Sequence, residues 1–75
     1  MPIGISFAPV SPKRLGTTIR RLREATGWTQ QELAQRAELG QPYLSRLERG
    51  DQRNPSLAVV KRLARAFGVS IEELL

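Results

Sequence analysis

Five side chains between Gln41 and Arg49 define the chemistry this chain offers. At about 100° per residue along a helix, Gln41, Pro42, Ser45, Arg46 and Arg49 fall on one side, and Leu44, Leu47 and Glu48 on the other. The second side calls for burial. The first offers an amide, a hydroxyl and two guanidinium groups, donors suited to base edges and phosphate oxygens. The stretch from Thr29 to Glu48 reads as one helix, a tight turn and a second helix, so the donor face is carried by the second.

Other chemistries are poorly supplied. The 75 residues include no cysteine and no histidine, which excludes disulfides, thiolate metal sites, catalytic triads and imidazole acid–base work. With no nucleophile–base pair or metal cluster in view, the reading is not an enzyme, with no cofactor, no metal and no small-molecule ligand. No charged-then-apolar leader or long apolar run points to secretion or a membrane. The missing cysteines fit a cytoplasmic protein, and a DNA reader there would be nucleoid-associated. Twelve Lys and Arg against seven Asp and Glu give a net charge of +5 and an isoelectric point of about 11.1. That excess favours polyanionic partners. A soluble basic domain with no nucleic-acid role has the same composition.

The elements that must hold the donor face can be read in order. Residues 1–12 contain three prolines and no charged side chain, and Ile3, Ile5 and Phe7 alternate. They read as an N-terminal arm, extended across a neighbour or frayed. Ser11-Pro12 also suits the cap and first turn of a helix, followed by Leu15, Ile19, Leu22 and Ala25 at helical spacing and a stop at Gly27. Lys13, Arg14, Arg20, Arg21 and Arg23 place five cations in this segment, mostly as a solvated face with some phosphate contact. The second helix opens on Thr29 with Glu32 three residues on, a capping box, and carries Leu33, Ala34 and Ala37. Gln30 sits in its first turn, where backbone N–H groups favour a phosphate. Gly40 precedes the third helix and Gly50 ends it. Asn54-Pro55 marks a loop, in which Arg53 and Asn54 are placed either to reach a phosphate or simply to be solvated. Ser56 caps a fourth helix with Leu57, Val60, Ala64 and Phe67 inward and Gly68 as stop. Ser70 with Glu73 caps a short fifth helix bearing Ile71, Leu74 and Leu75. The sum is an all-α bundle of four or five short helices, residues 13–75, behind the arm.

The run from Arg14 to Leu75, with TQQELA, YLSRLERG, NPS and AFGVSIEEL in order, resembles the Cro/repressor-type (XRE-like) helix-turn-helix domains. The resemblance implies a lambda-repressor-like fold of five helices, with the motif at about 29–48 and helix 41–49 in the DNA major groove. It implies Gln41, Pro42 and Arg46 as base-facing residues. Gln30, Tyr43, Ser45, Arg49, Arg53 and Asn54 would lie at the DNA backbone. Arg23 and Glu48 match an interior ion pair in the family; a Glu48 solvated at the edge of its face is the alternative. The last helix often forms a subunit contact there, which makes Ile71, Leu74 and Leu75 candidates for a homodimer contact, unless they simply close the core.

Two departures from the family pattern stand out. Glu38 replaces the usual glycine in the turn, and Gly40 replaces the usual Ser or Thr cap, so either Glu38 is strained or Gly40 takes the left-handed conformation. Pro42 offers only shape and apolar contact to a base, leaving Arg46 as chief reader and Gln41 second. The leading expectation is a sequence-specific transcriptional regulator, repressor-like, bound to double-stranded DNA as a homodimer on a two-fold operator. Small family members also include restriction–modification controllers and antitoxins. An interaction module without operator binding is the competing class, distinguished by a lack of salt-dependent DNA affinity.

Overall fold

The computed structural model describes residues 11–53 and 55–75, and among them it is all-helical. The elements are α1 (Pro12–Thr26), α2 (Gln30–Ala37), α3 (Gln41–Arg49), α4 (Leu57–Phe67) and α5 (Ile71–Leu74). Four of the five starts are set by a short-range side-chain bond. Ser11 accepts from the Arg14 N–H, and Ser56 from that of Val59. Thr29 with Glu32 and Ser70 with Glu73 close reciprocal capping boxes. Ser11 and Pro12 therefore belong to the first helix rather than to the arm. The arm reading of residues 1–10 and the backbone-contact reading of Asn54 lie outside the described residues.

Leu15, Ile19, Leu33, Leu44, Leu47, Leu63 and Leu74 fill the centre, with Val60 and three alanines around them. Two expectations about apolar residues are corrected, and for Leu74 the core-closing alternative holds. Ala25 is exposed, because each three-residue step falls about 60° short of a full turn and the stripe drifts outward. Leu57 is 60% exposed; it has the inward phase, but at the first residue of α4 it does not join the core packing. Leu74 is fully buried in its own domain, so it is not available as a contact for a second subunit. Ile71 is half-buried and Leu75 is exposed.

The α2–α3 turn resolves the choice left by Glu38 and Gly40. Glu38 takes the left-handed conformation, at φ 57°, and its N–H bonds back to the α2 carbonyls. Gly40 is extended at φ −70° and caps α3 with no side-chain hydrogen bond. The Arg62 guanidinium donates to the Glu38 carbonyl at 3.4 Å, placing a cation at the negative end of α2. A left-handed L-residue costs roughly 1–2 kcal/mol, partly offset by the greater chain entropy glycine would lose. Glu38→Gly is therefore expected to stabilise the domain by about 1 kcal/mol, a rise in Tm of roughly 4–8 °C. A thermal melt showing a lower Tm would contradict the strain.

Candidate nucleic-acid interface

The α3 helix shows the two faces that its periodicity implies. Leu44, Leu47 and Glu48 are buried; Gln41, Pro42, Arg46 and Arg49 are exposed, and Tyr43 and Ser45 are half-buried. The exposed cations are held in place. Arg46 Nε donates to Gln52 Oε1 at 3.3 Å, and its guanidinium lies 5.7 Å from the Tyr43 ring centre. Gln52 Nε2 in turn donates to the Arg53 carbonyl at 3.4 Å, which orients the amide oxygen toward Arg46. With Nε engaged, the two terminal nitrogens of this exposed arginine remain a pair able to donate to the two acceptors of a guanine edge. Arg49 Nη1 donates to Ser45 Oγ at 2.7 Å, and Nε to Asp51 Oδ2 at 3.1 Å. The Arg49–Asp51 pair is more than half exposed on both sides, so it contributes little to stability, but it offsets the charge of the Asp51 carboxylate.

Behind this face, Glu48 is 1% exposed at its side chain and receives three hydrogen bonds. Arg23 donates from Nε at 2.6 Å and Nη2 at 2.9 Å, and Gln30 from Nε2 at 3.1 Å. Arg23 Nη1 also donates to the Trp28 carbonyl at 3.0 Å. The hydrogen bond to Glu48 raises the Arg23 pKa further, against the opposing effect of burial. Among the described residues no buried side-chain polar atom lacks a partner. The network ties α1, the α1–α2 turn, the first turn of α2 and the last turn of α3 together. It brings Gln30 beside α3, so the free N–H groups at the start of α2 and the α3 donors share one neighbourhood. Arg53 is exposed on the loop that follows.

Three residues in this arrangement were not singled out by sequence reading. Gln52 has no periodic signal, since it lies in a loop. Trp28 enters through its carbonyl, while its ring stacks on Phe67 at 5.7 Å under the Arg36 guanidinium. Gly16 did leave a signal, a glycine inside a helix at a cost of about 1 kcal/mol against alanine. A Cβ there would overlap the Leu47 carbonyl oxygen and come within 2.9 Å of that of Glu48. The missing side chain is what lets α1 rest on the backbone of α3.

A second helix reached through a tight turn, its apolar side locked inward and its donors outward, defines the helix-turn-helix class. The helix-turn-helix family model matches residues 19–74, and the chain belongs to this Cro/repressor-type (XRE-like) family. The uncharacterized HTH-type transcriptional regulator y4dJ of Sinorhizobium fredii is 47% identical over 62 residues, covering 83% of this chain and 79% of that protein. SinR of Bacillus subtilis, an HTH-type transcriptional regulator, is 34% identical over 61 residues, covering 81% of this chain and 55% of SinR. This chain thus spans most of y4dJ but about half of SinR. The restriction-modification controller protein C.AhdI from Aeromonas hydrophila superposes with a TM-score of 0.80 at 36% identity, over 85% of this chain and 96% of that one. SinR, solved in complex with DNA, gives 0.76 at 33% identity, over 80% of this chain and 95% of that one. The lambda-repressor-like fold class is that of these neighbours.

Proposed function

We propose that this chain is a sequence-specific DNA-binding transcriptional regulator, repressor-like, that lays α3 in the major groove of a two-fold operator. The observation that carries this reading is the divided α3, with exposed Gln41, Pro42 and Arg46 in front and Glu48 bound by three donors behind. SinR, a relative solved with DNA, supports the same use of the fold. Arg46 reads a guanine through its two terminal nitrogens, with Gln41 as second reader and Pro42 as an apolar contact to a thymine methyl. Gln30, Tyr43, Ser45, Arg49 and Arg53 hold phosphate and sugar, which sets register rather than sequence. Asn54 takes the same role by sequence position.

Selection of bound duplexes from a random pool tests the reading as a whole, since it returns the site, its symmetry and its spacing. Affinity for the selected site should fall steeply with salt; a flat salt response would favour an interaction module instead. Within that site, Arg46→Ala is expected to cost roughly 1–3 kcal/mol and to relax preference at one base pair per half-site. Equal loss on selected and random DNA, measured by titration, would remove Arg46 from the reading role.

The regulator acts as a homodimer with half-sites about 34 Å apart. The exposed Leu75, 42% accessible, and the half-buried Ile71 beside it supply the contact, whereas Leu74 closes the core. Leu75→Glu is expected to weaken self-association roughly tenfold, as loss of an apolar anchor does. Sedimentation showing an unchanged dimer would move the contact elsewhere.

A further inference from the structure

The outward side of α1 is a second cationic surface that the reading of α3 does not use. Arg14 and Arg21 are exposed there, Lys13 and Arg20 are exposed nearer the α3 side, with Lys13 against Gly50 at the end of α3, and Glu24 is the only carboxylate on the helix. Four cations against one carboxylate put +3 of the chain's +5 on the exposed residues of this helix. Among the described residues, none of these four side chains forms an ion pair; the two ion pairs are Arg23–Glu48 and Arg49–Asp51. Residues 1–10 add no carboxylate that could neutralise the patch. Lys13, Arg14, Thr17, Thr18 and Arg21 line one open groove of about 530 Å³ with Ser11.

Position separates this surface from the α3 donors. Gly16 lies on the Leu47 and Glu48 backbone, so α1 sits behind α3. Arg14 and Arg21 are turned about 140–160° around the α1 axis from Gly16, directed away from that contact. The thickness of α1 itself, roughly 10 Å, therefore lies between these guanidiniums and the contact with α3. The Debye length at physiological salt is about 8 Å, shorter than that thickness, so these charges are largely screened from groups on the far side of the contact.

We infer that the outward face of α1 binds the phosphate backbone of a second duplex, and that the protein bridges two DNA segments. This goes beyond the proposed regulator and rests on it only for the assignment of α3 to the first duplex. Arg14 and Arg21 stand about 10 Å apart along the helix, about the rise over which one strand presents three phosphates along the duplex axis. Arginine and threonine together suit phosphate oxygens. A protein partner suits the face less well, because interface centres are built on apolar and aromatic anchors. The exposed large apolar side chains among the described residues are Leu57 and Leu75, and neither is on α1.

The experiment uses beads carrying the selected duplex and a fluorescent, short random-sequence duplex in solution. Wild-type protein retained on the beads should recruit the fluorescent duplex. Arg14→Gln/Arg21→Gln should stay on the beads within about twofold while recruitment falls roughly tenfold, and the salt slope of recruitment should drop by about 2. Neither side chain makes a contact that the fold needs, so the melting temperature of this variant should match wild type. No recruitment by wild type, unchanged recruitment by the variant, or parallel loss of retention and recruitment would each overturn the inference. Displacement of the fluorescent duplex by polyglutamate at lower concentration than by DNA would assign the face to an acidic protein instead. Arg46→Ala provides the separate control: if it leaves bead retention unchanged, the assignment of α3 has failed, and recruitment is then judged on its own.

Discussion

Gly16→Ala is expected to destabilise the domain by about 2 kcal/mol, and Gly16→Val by more than about 4, enough to unfold much of the population. The sign is the informative part. At an ordinary position inside a helix the alanine would gain about 1 kcal/mol over glycine. Here the new Cβ meets the Leu47 and Glu48 carbonyls, which are backbone and cannot rotate aside. The only relief is to move α1 off α3. That shift also stretches the Arg23–Glu48 pair, which spans the same contact. Urea titration with a Thr17→Ala control, on the exposed side of the same helix, separates contact from propensity. A more stable Gly16→Ala would sink the close α1–α3 approach.

Arg23→Ala is expected to cost about 3 kcal/mol or more, because it leaves a carboxylate with 1% side-chain exposure facing Gln30 alone. The loss comes from an uncompensated charge more than from the energy of the pair itself. Arg23→Met/Glu48→Leu should therefore recover most of the stability, since two apolar side chains need no desolvation. The cycle through both single variants reads the coupling directly; additive losses would mean that the two groups act independently. The Arg23 side of this effect is insensitive to pH. A cation whose folded pKa is raised contributes stability that is complete below its unfolded value and lost only as pH rises through the folded one. For Arg23 the hydrogen bond to Glu48 moves that loss further above any working pH. The recovered double variant also has a functional readout. With Glu48 gone, Gln30 loses its anchor, and a modest fall in DNA affinity at full stability would identify the network as what positions it.

These effects concern residues that the sequence marks unequally. Caps and stops were legible because the interactions that make them span three or four residues. Thr29 with Glu32 and Ser70 with Glu73 close locally, and Gly27, Gly50 and Gly68 end their helices by conformation alone. The division of α3 follows from helical phase, so its donor side and buried side could be read from the order of residues. Whatever depends on which element lies opposite was decided by tertiary packing. Leu57 has the inward phase but lies at the very start of α4 and stays exposed, while Leu74, on a helix of four residues, is drawn into the core. The left-handed turn residue proved to be Glu38, not Gly40. Gln30 reaches Glu48 across 18 positions and Arg23 across 25, and Gly16 meets α3 across a longer span still. Local periodicity records the phase of each helix about its own axis, whereas the crossing of two axes is set only when the helices pack.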